Sequence, residues 1–182
     1  MGEIRIIGGQ WKRSRLPVPD LPGLRPTSDR VRETLFNWLG QTLTGWRVLD
    51  AFAGSGALGF EAASRGAAAV VMVEREATLV DGLRALQKRL QASAVSIHRA
   101  NALNWMTACA DRFDLILLDP PFADDLFDRA LAAAVPLLAP DGLLYVESPR
   151  EIAPPAGFTV WRQGRAGAVH YQLLRREDNP AS

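Results

Sequence analysis

From Trp46 onward the chain alternates short apolar runs with longer stretches of helical periodicity. Residues 47–52, 69–74, 95–99, 115–118 and 143–147 read as strands, with helices to about Arg65 and over 76–92. The run Leu115–Leu118 is wholly apolar, the mark of a strand buried on both faces, as in parallel sheets. Strands separated by helices imply βαβ units and therefore a parallel sheet covered on both sides. The pattern changes at the end. Residues 157–162 and 169–174 alternate like strands, and only a short glycine-containing link, 163–167, separates them, so they should pair antiparallel. The expectation is an α/β, Rossmann-like, mostly parallel seven-stranded sheet ending in an antiparallel hairpin. Residues 177–182 form a polar tail.

Ahead of that domain, residues 4–7, the pair Gly8-Gly9 and residues 10–13 read as strand, turn and strand. A proline-rich connector, Pro17 to Pro26, leads to a helix that Thr27, Ser28 or Asp29 can cap. Val31, Leu35, Trp38 and Leu39 form its apolar stripe, and Gly40 follows. The division expected is a basic N-terminal β-hairpin arm with connector, residues 1–24, and a main domain, residues 25–182.

Composition narrows the class. With 182 residues, 48% hydrophobic and 23% charged, the chain resembles an ordinary soluble globular protein. It has neither an apolar run of the ~20 residues that a membrane helix needs nor a signal-like leader, which predicts a cytoplasmic protein with no membrane partner. Cys109 is the only cysteine, and His98 and His170 lack ligand spacing, so no metal site is expected. Net charge is only +1, yet Arg5, Lys12, Arg13, Arg15, Arg25, Arg30 and Arg32 oppose just Glu3, Asp20 and Asp29 in the first 32 residues. The last hairpin adds Arg162, Arg165, Arg175 and Arg176. Basic ends suit a polyanion, although a solvated charged face explains the charge equally well. Trp11 among the cations either stacks on a base or pins the arm to the domain.

Two constellations carry chemistry. Gly54-Ser55-Gly56-Ala57-Leu58-Gly59 fits G-x-G-x-x-G between a strand and a helix, the context in which backbone approaches a nucleotide-type cofactor. Glu74, at the end of the next strand, is spaced to accept from ribose hydroxyls. The glycine pattern alone does not separate a dinucleotide from S-adenosylmethionine. Asp50 before the turn suits the amino group of a sulfonium ligand, and Asn101-Ala102 ends the third strand beside an adenine edge. No residue suggests hydride chemistry. Asp119-Pro120-Pro121-Phe122 then closes the fourth strand: a carboxylate, free carbonyls and a flat ring, suited to a planar base bearing an exocyclic amine.

That tetrapeptide resembles the (Asp/Asn/Ser)-Pro-Pro-(Tyr/Phe) motif of amino-directed N-methyltransferases. Leu49–Gly59 resembles the cofactor motif of one branch of that class, while Arg25–Leu39 and Ile6–Lys12 resemble segments of the RsmD family. The resemblance runs from about Arg5 to the final hairpin. It implies a Rossmann-like methyltransferase fold and S-adenosylmethionine-dependent methylation of a guanine N2 amine in bacterial 16S ribosomal RNA, with S-adenosylhomocysteine as product. Catalysis is then expected from Asp119, Pro120, Pro121 and Phe122. The expected cofactor contacts are Thr27, Asp50, Phe52, Ala53, Gly54, Ser55, Gly56, Glu74, Asn101, Ala102 and Asp119. RNA contacts are expected from Arg5, Trp11, Lys12, Arg13, Arg15 and Arg25. Asn101 departs from the Asp common in related enzymes, and its carbonyl oxygen should accept from the adenine amine more weakly.

The expected substrate is 16S rRNA within a small-subunit assembly particle, and the expected state is monomeric. Two rivals share these features. A DNA amino-methyltransferase shares the Asp-Pro-Pro-Phe chemistry but needs a recognition domain that 182 residues do not accommodate. A basic RNA-binding module with a vestigial cofactor site would bind no cofactor.

Overall fold

The computed structural model describes residues 2–24, 27–122 and 125–177. Strands β1 (Gly2–Arg5) and β2 (Arg15–Val18) form a two-stranded antiparallel sheet, followed by helix α1 (Asp29–Leu39). The βαβ alternation then runs through β3 (Arg47–Asp50), α2 (Ala57–Ser64), β4 (Ala69–Glu74), α3 (Ala77–Leu90) and β5 (Val95–Arg99). It continues with α4 (Ala102–Ala108), β6 (Phe113–Leu118), α5 (Phe127–Ala134) and β7 (Leu138–Ser148), and ends in β8 (Phe158–Ala166) and β9 (Val169–Arg176).

The main sheet has seven strands in the order β5-β4-β3-β6-β7-β9-β8. β5, β4, β3, β6 and β7 are parallel, while β9 pairs antiparallel with both β7 and β8. β3 and β6 lie at its centre, so the ends of both open onto one crevice, where the strand order reverses and α/β sheets bind ligands. Apolar side chains of alternate parity fill two cores. Val48, Leu115, Leu117 and Tyr145 face α1, α2 and α3. Leu49, Ile116, Leu118 and Val146 face α4 and α5.

The arm is paired differently from the sequence expectation. Its second strand is Arg15–Val18, which runs into the stretch read as connector, and residues 10–13 form a turn. Burial explains the choice: this register sends Ile4, Leu16 and Val18 into the core shared with α1 and α2. Pro17 is tolerated because the sheet has only two strands, leaving an outer edge that needs no donor. The arm tip is then fastened to α2. Ile7 and Gly8 donate their amides to the two carboxylate oxygens of Glu61 at 2.8 and 3.0 Å. The Gln10 amide donates to the Ser64 carbonyl at 2.8 Å and the Trp11 amide to Ser64 Oγ at 3.0 Å. Gly9 takes φ +78°, and a Cβ there would lie 1.9 Å from the Ser64 carbonyl oxygen, so only glycine passes.

Glu61 is also the centre of a buried charge cluster. Arg32 and Arg65 donate to its two oxygens at 3.0 and 2.9 Å, and Arg32 reaches Asp29 at 2.6 Å. Arg32, one of the seven cations of the basic N-terminal region, is therefore fully buried and contributes nothing to a surface field.

Candidate active site

A cavity of about 590 Å³ opens at the carboxyl ends of β3, β4, β5 and β6. The turn after β3 enters α2 through Gly56, whose φ of +86° suits glycine. Thr27, Asp50, Phe52, Ala53, Gly54, Ser55, Glu74, Asn101, Ala102, Asp119, Pro120 and Pro121 all line it. Among the expected cofactor residues only Gly56 stays off the wall, because its amide turns inward to the Ala53 carbonyl at 2.8 Å. The connector residues Leu21, Pro22, Gly23 and Leu24, which sequence reasoning did not single out, form another wall. Their only advance signal was the apolar leucine pair within the proline-rich stretch.

Four acids face this space: Asp50, Glu74, Glu76 and Asp119. Asp50 is the deepest. Its Oδ2 accepts from the Gly59 amide at 3.0 Å, an approach that a side chain at Gly59 would block, since a Cβ there lies 2.9 Å from that oxygen. Burial pushes its pKa from 3.8 up to about 7, with repulsion from Asp119 and then Glu74 adding to the rise and the Gly59 bond opposing it. Glu74 is already in use by the backbone. One oxygen accepts from the Gly54 amide at 3.0 Å and the other from the Glu76 amide at 2.9 Å, which fixes the glycine loop to β4.

Asn101 is the N-cap of α4, its Oδ1 accepting from the Asn104 amide at 3.1 Å. That bond turns the oxygen toward the helix, a commitment the sequence reading did not foresee. Phe122 lies outside the cavity, half-buried and tilted against Phe127 with ring centroids 6.2 Å apart. Of the expected RNA contacts, Arg5, Lys12, Arg13 and Arg15 are exposed, and Trp11 is half-buried against the core. Lys12 and Arg13 sit on the tip tied to Ser64, the far end of α2 from the glycine loop, roughly 12 Å along an eight-residue helix. Arg15 pairs with Glu3 at 3.4 Å, and Arg25 falls outside the described residues.

The donor set fits a cationic nucleoside cofactor. A carboxylate whose proton affinity is raised by burial and then by neighbouring acids gains from a ligand ammonium or sulfonium, and glycine backbone borders the same space. The family model described as Conserved hypothetical protein 95 matches residues 4–175. The chain belongs to this family, the RsmD family. Ribosomal RNA small subunit methyltransferase D of Escherichia coli K12 is 42% identical over 97% of this chain and 91% of its own length. Its Haemophilus influenzae namesake is 39% identical over 96% of this chain and 94% of its own length. A solved structure of the Escherichia coli protein yhhF superposes with a TM-score of 0.87 at 42% identity, covering 97% of this chain and 99% of that one. The methyltransferase chemistry and small-subunit rRNA substrate that the sequence motifs imply agree with the names these relatives carry.

Proposed function

We propose that this RsmD-family chain is an S-adenosylmethionine-dependent methyltransferase acting on the exocyclic N2 amine of a guanine in 16S ribosomal RNA. The observation that carries the reading is the convergence, in one cavity, of the Asp119-Pro120-Pro121 strand end with the glycine loop and the acids Asp50 and Glu74. When bound, S-adenosylmethionine supplies an electrophilic methyl group on a cationic sulfur.

Asp50, Asp119 and Glu74 favour that cation electrostatically, and the backbone around Ala53–Ser55 lets the ligand close on the loop. Thr27, Phe52, Asn101 and Ala102 complete the cofactor contacts. On the substrate side, the Asp119 carboxylate and the Pro120 carbonyl accept the two amine hydrogens. The guanine amine is a weak nucleophile because its lone pair is delocalised into the ring. Two acceptors at fixed positions rotate that lone pair out of conjugation and aim it, and positioning of this kind supplies much of the acceleration. Pro121 keeps the strand end rigid. Phe122, beside the cavity mouth, offers its ring to the extruded base, whose exposure costs least in an RNA loop.

The RNA backbone is held by the arm cations Arg5, Lys12, Arg13 and Arg15 together with Arg25, the first residue after the arm, with Trp11 fixing the arm. Residues 1–24 thus serve as an RNA-contacting arm on the 25–182 catalytic domain. Among the described residues no helix is long and apolar enough to cross a membrane. A cytoplasmic monomer acting on a small-subunit assembly particle fits this reading.

The test is methyl transfer to small-subunit rRNA from a strain lacking the activity, with the product mapped by mass spectrometry. One N2-methylguanine is expected. Asp119→Ala should abolish transfer and leave cofactor binding within a few-fold of wild type. Unmodified rRNA with wild-type protein, or full turnover by the variant, would overturn the reading.

A further inference from the structure

The last hairpin carries an asymmetry that the active site does not use. From Ile152 to Arg176 the chain has four arginines and no acidic residue. Strand β8 is the outer edge of the seven-stranded sheet, so one side of the hairpin meets solvent. Trp161 stands beside a shift in the β8–β9 register, between Val160 and Arg162, and packs on the core that faces α1. Two guanidiniums lie over its ring, Arg162 at 4.8 Å and Arg175 at 5.1 Å from the centroid. Arg165 is held by its own turn, donating from Nε to the Gly167 carbonyl at 2.9 Å.

None of Arg162, Arg165 and Arg175 is paired with a carboxylate among the described residues. The arm differs: Arg15 is matched by Glu3. An ordered guanidinium with no carboxylate partner is the group best shaped to grip a phosphate, and stacking on an indole, as for Arg162 and Arg175, lowers the entropy lost in doing so.

Register ties this patch to the chemistry. Leu118 is level with Val146, Val146 with Gln172, and Gln172 with Gln163. Asp119 therefore stands level with Gly164, three strand spacings away, roughly 14 Å at about 4.8 Å per strand. Arg165 is one residue further toward the cavity end of the sheet, and Arg162 lies toward the opposite end.

We propose that the β8–β9 hairpin is an RNA-contacting surface in which Arg162, Arg165 and Arg175 grip phosphates of the strand that carries the target base. This deepens the function proposed above and rests on its RNA substrate. Arg162 and Arg175 share the face that carries Trp161, and Arg165, paired with His170 on the other face, carries the charge around the sheet edge near the level of the catalytic strand end.

The test compares wild type with the triple variant Arg162→Gln, Arg165→Gln, Arg175→Gln. Binding of a small-subunit rRNA transcript and of a plain single-stranded RNA is measured between about 50 and 200 mM salt. The slope of log affinity against log salt should fall by roughly 2, at about 0.7 to 0.9 for each phosphate no longer neutralised. The KM for RNA should rise at least about tenfold, with kcat and cofactor affinity unchanged. The corresponding triple lysine variant keeps the charge and should retain the wild-type slope. A glutamine variant with wild-type slope and KM overturns the proposal, and so does a lysine variant as weak as the glutamine one. If wild-type protein shows the hairpin-dependent slope yet methylates no small-subunit rRNA, the substrate reading fails while the hairpin assignment stands.

Discussion

Asp50 Oδ2 accepts the amide hydrogen of Gly59 at 3.0 Å, so the last residue of β3 satisfies a donor in the first turn of α2. The same carboxylate is the deepest acid of the cavity, with a pKa raised from 3.8 to about 7. Between those values the folded ligand-free protein holds a proton that the unfolded chain has released. Stability without cofactor should therefore fall as pH rises from about 4 to about 7, by an amount on the order of a few kcal/mol. A cationic cofactor favours the ionised form, so binding at pH 6 should release a proton, and affinity should climb with pH through about 7. Calorimetry in buffers of different ionisation enthalpy reads the proton directly; uptake instead of release would contradict this picture. Asp50→Asn should raise the melting temperature at pH 8 and weaken cofactor binding at least about tenfold, because it removes a charge-assisted hydrogen bond.

The capping bond of Asn101 separates its two roles. Asp caps a helix as well as Asn, so Asn101→Asp should leave stability within ~0.5 kcal/mol and tighten cofactor binding by adding a charge. Asn101→Ala loses the cap as well and should cost about 1 kcal/mol. Thermal melts with and without S-adenosylmethionine distinguish the two variants. An aspartate that binds the cofactor more weakly than asparagine would assign the contact to the side-chain NH₂ group.

Glu61 holds Arg32, Arg65 and the amides of Ile7 and Gly8 at once. Removing its charge leaves buried Arg65 without a carboxylate partner and buried Arg32 with Asp29 alone. Glu61→Gln should therefore cost about 3 kcal/mol or more, roughly 10 °C in melting temperature for a domain of this size. Replacing Glu61 and Arg32 together by Met should recover part of the loss. A neutral Glu61→Gln would show that the cluster is not what fastens the arm.

Neutralising Lys12, Arg13 and Arg15 to Gln should weaken rRNA binding and flatten its salt dependence. Among the described residues no hydrogen bond or ion pair links the arm tip to the β8–β9 hairpin, so the two effects should add in free energy when the variants are combined. An unchanged salt slope would remove the arm from the RNA interface.

Apolar runs made the main sheet legible in the sequence. Ala69–Glu74 and Val95–Arg99 form strands with those limits, and the antiparallel ending follows from the missing helix. The glycine turn, Glu74 and Asp119 were legible because their spacing places them at strand ends. What escaped were choices made by burial. Gln10–Arg13 has the look of a strand after two glycines, yet Leu16 and Val18 win the pairing because they reach the core. Arg32 reads as one of the cations of the basic N-terminal region, and only its place against Glu61 under the packed arm shows that it is buried. The ring of Phe122, the aromatic of Asp-Pro-Pro-Phe, is half-buried and tilted against Phe127, a contact the motif does not announce. A linear motif fixes the backbone course of such a residue but not the rotamer of its side chain.

The fastening of the arm to α2 also sets an order of events during synthesis. Ile7, Gly8 and Trp11 find their acceptors more than fifty residues later, on Glu61 and Ser64. The arm therefore leaves the ribosome well before its anchor exists, and closing that long loop is an entropic cost met only once α2 has formed. Because the connector that follows the arm is a wall of the cavity, whose lining runs on to Leu126, the cofactor pocket closes only after the arm has docked and β6 has joined the sheet.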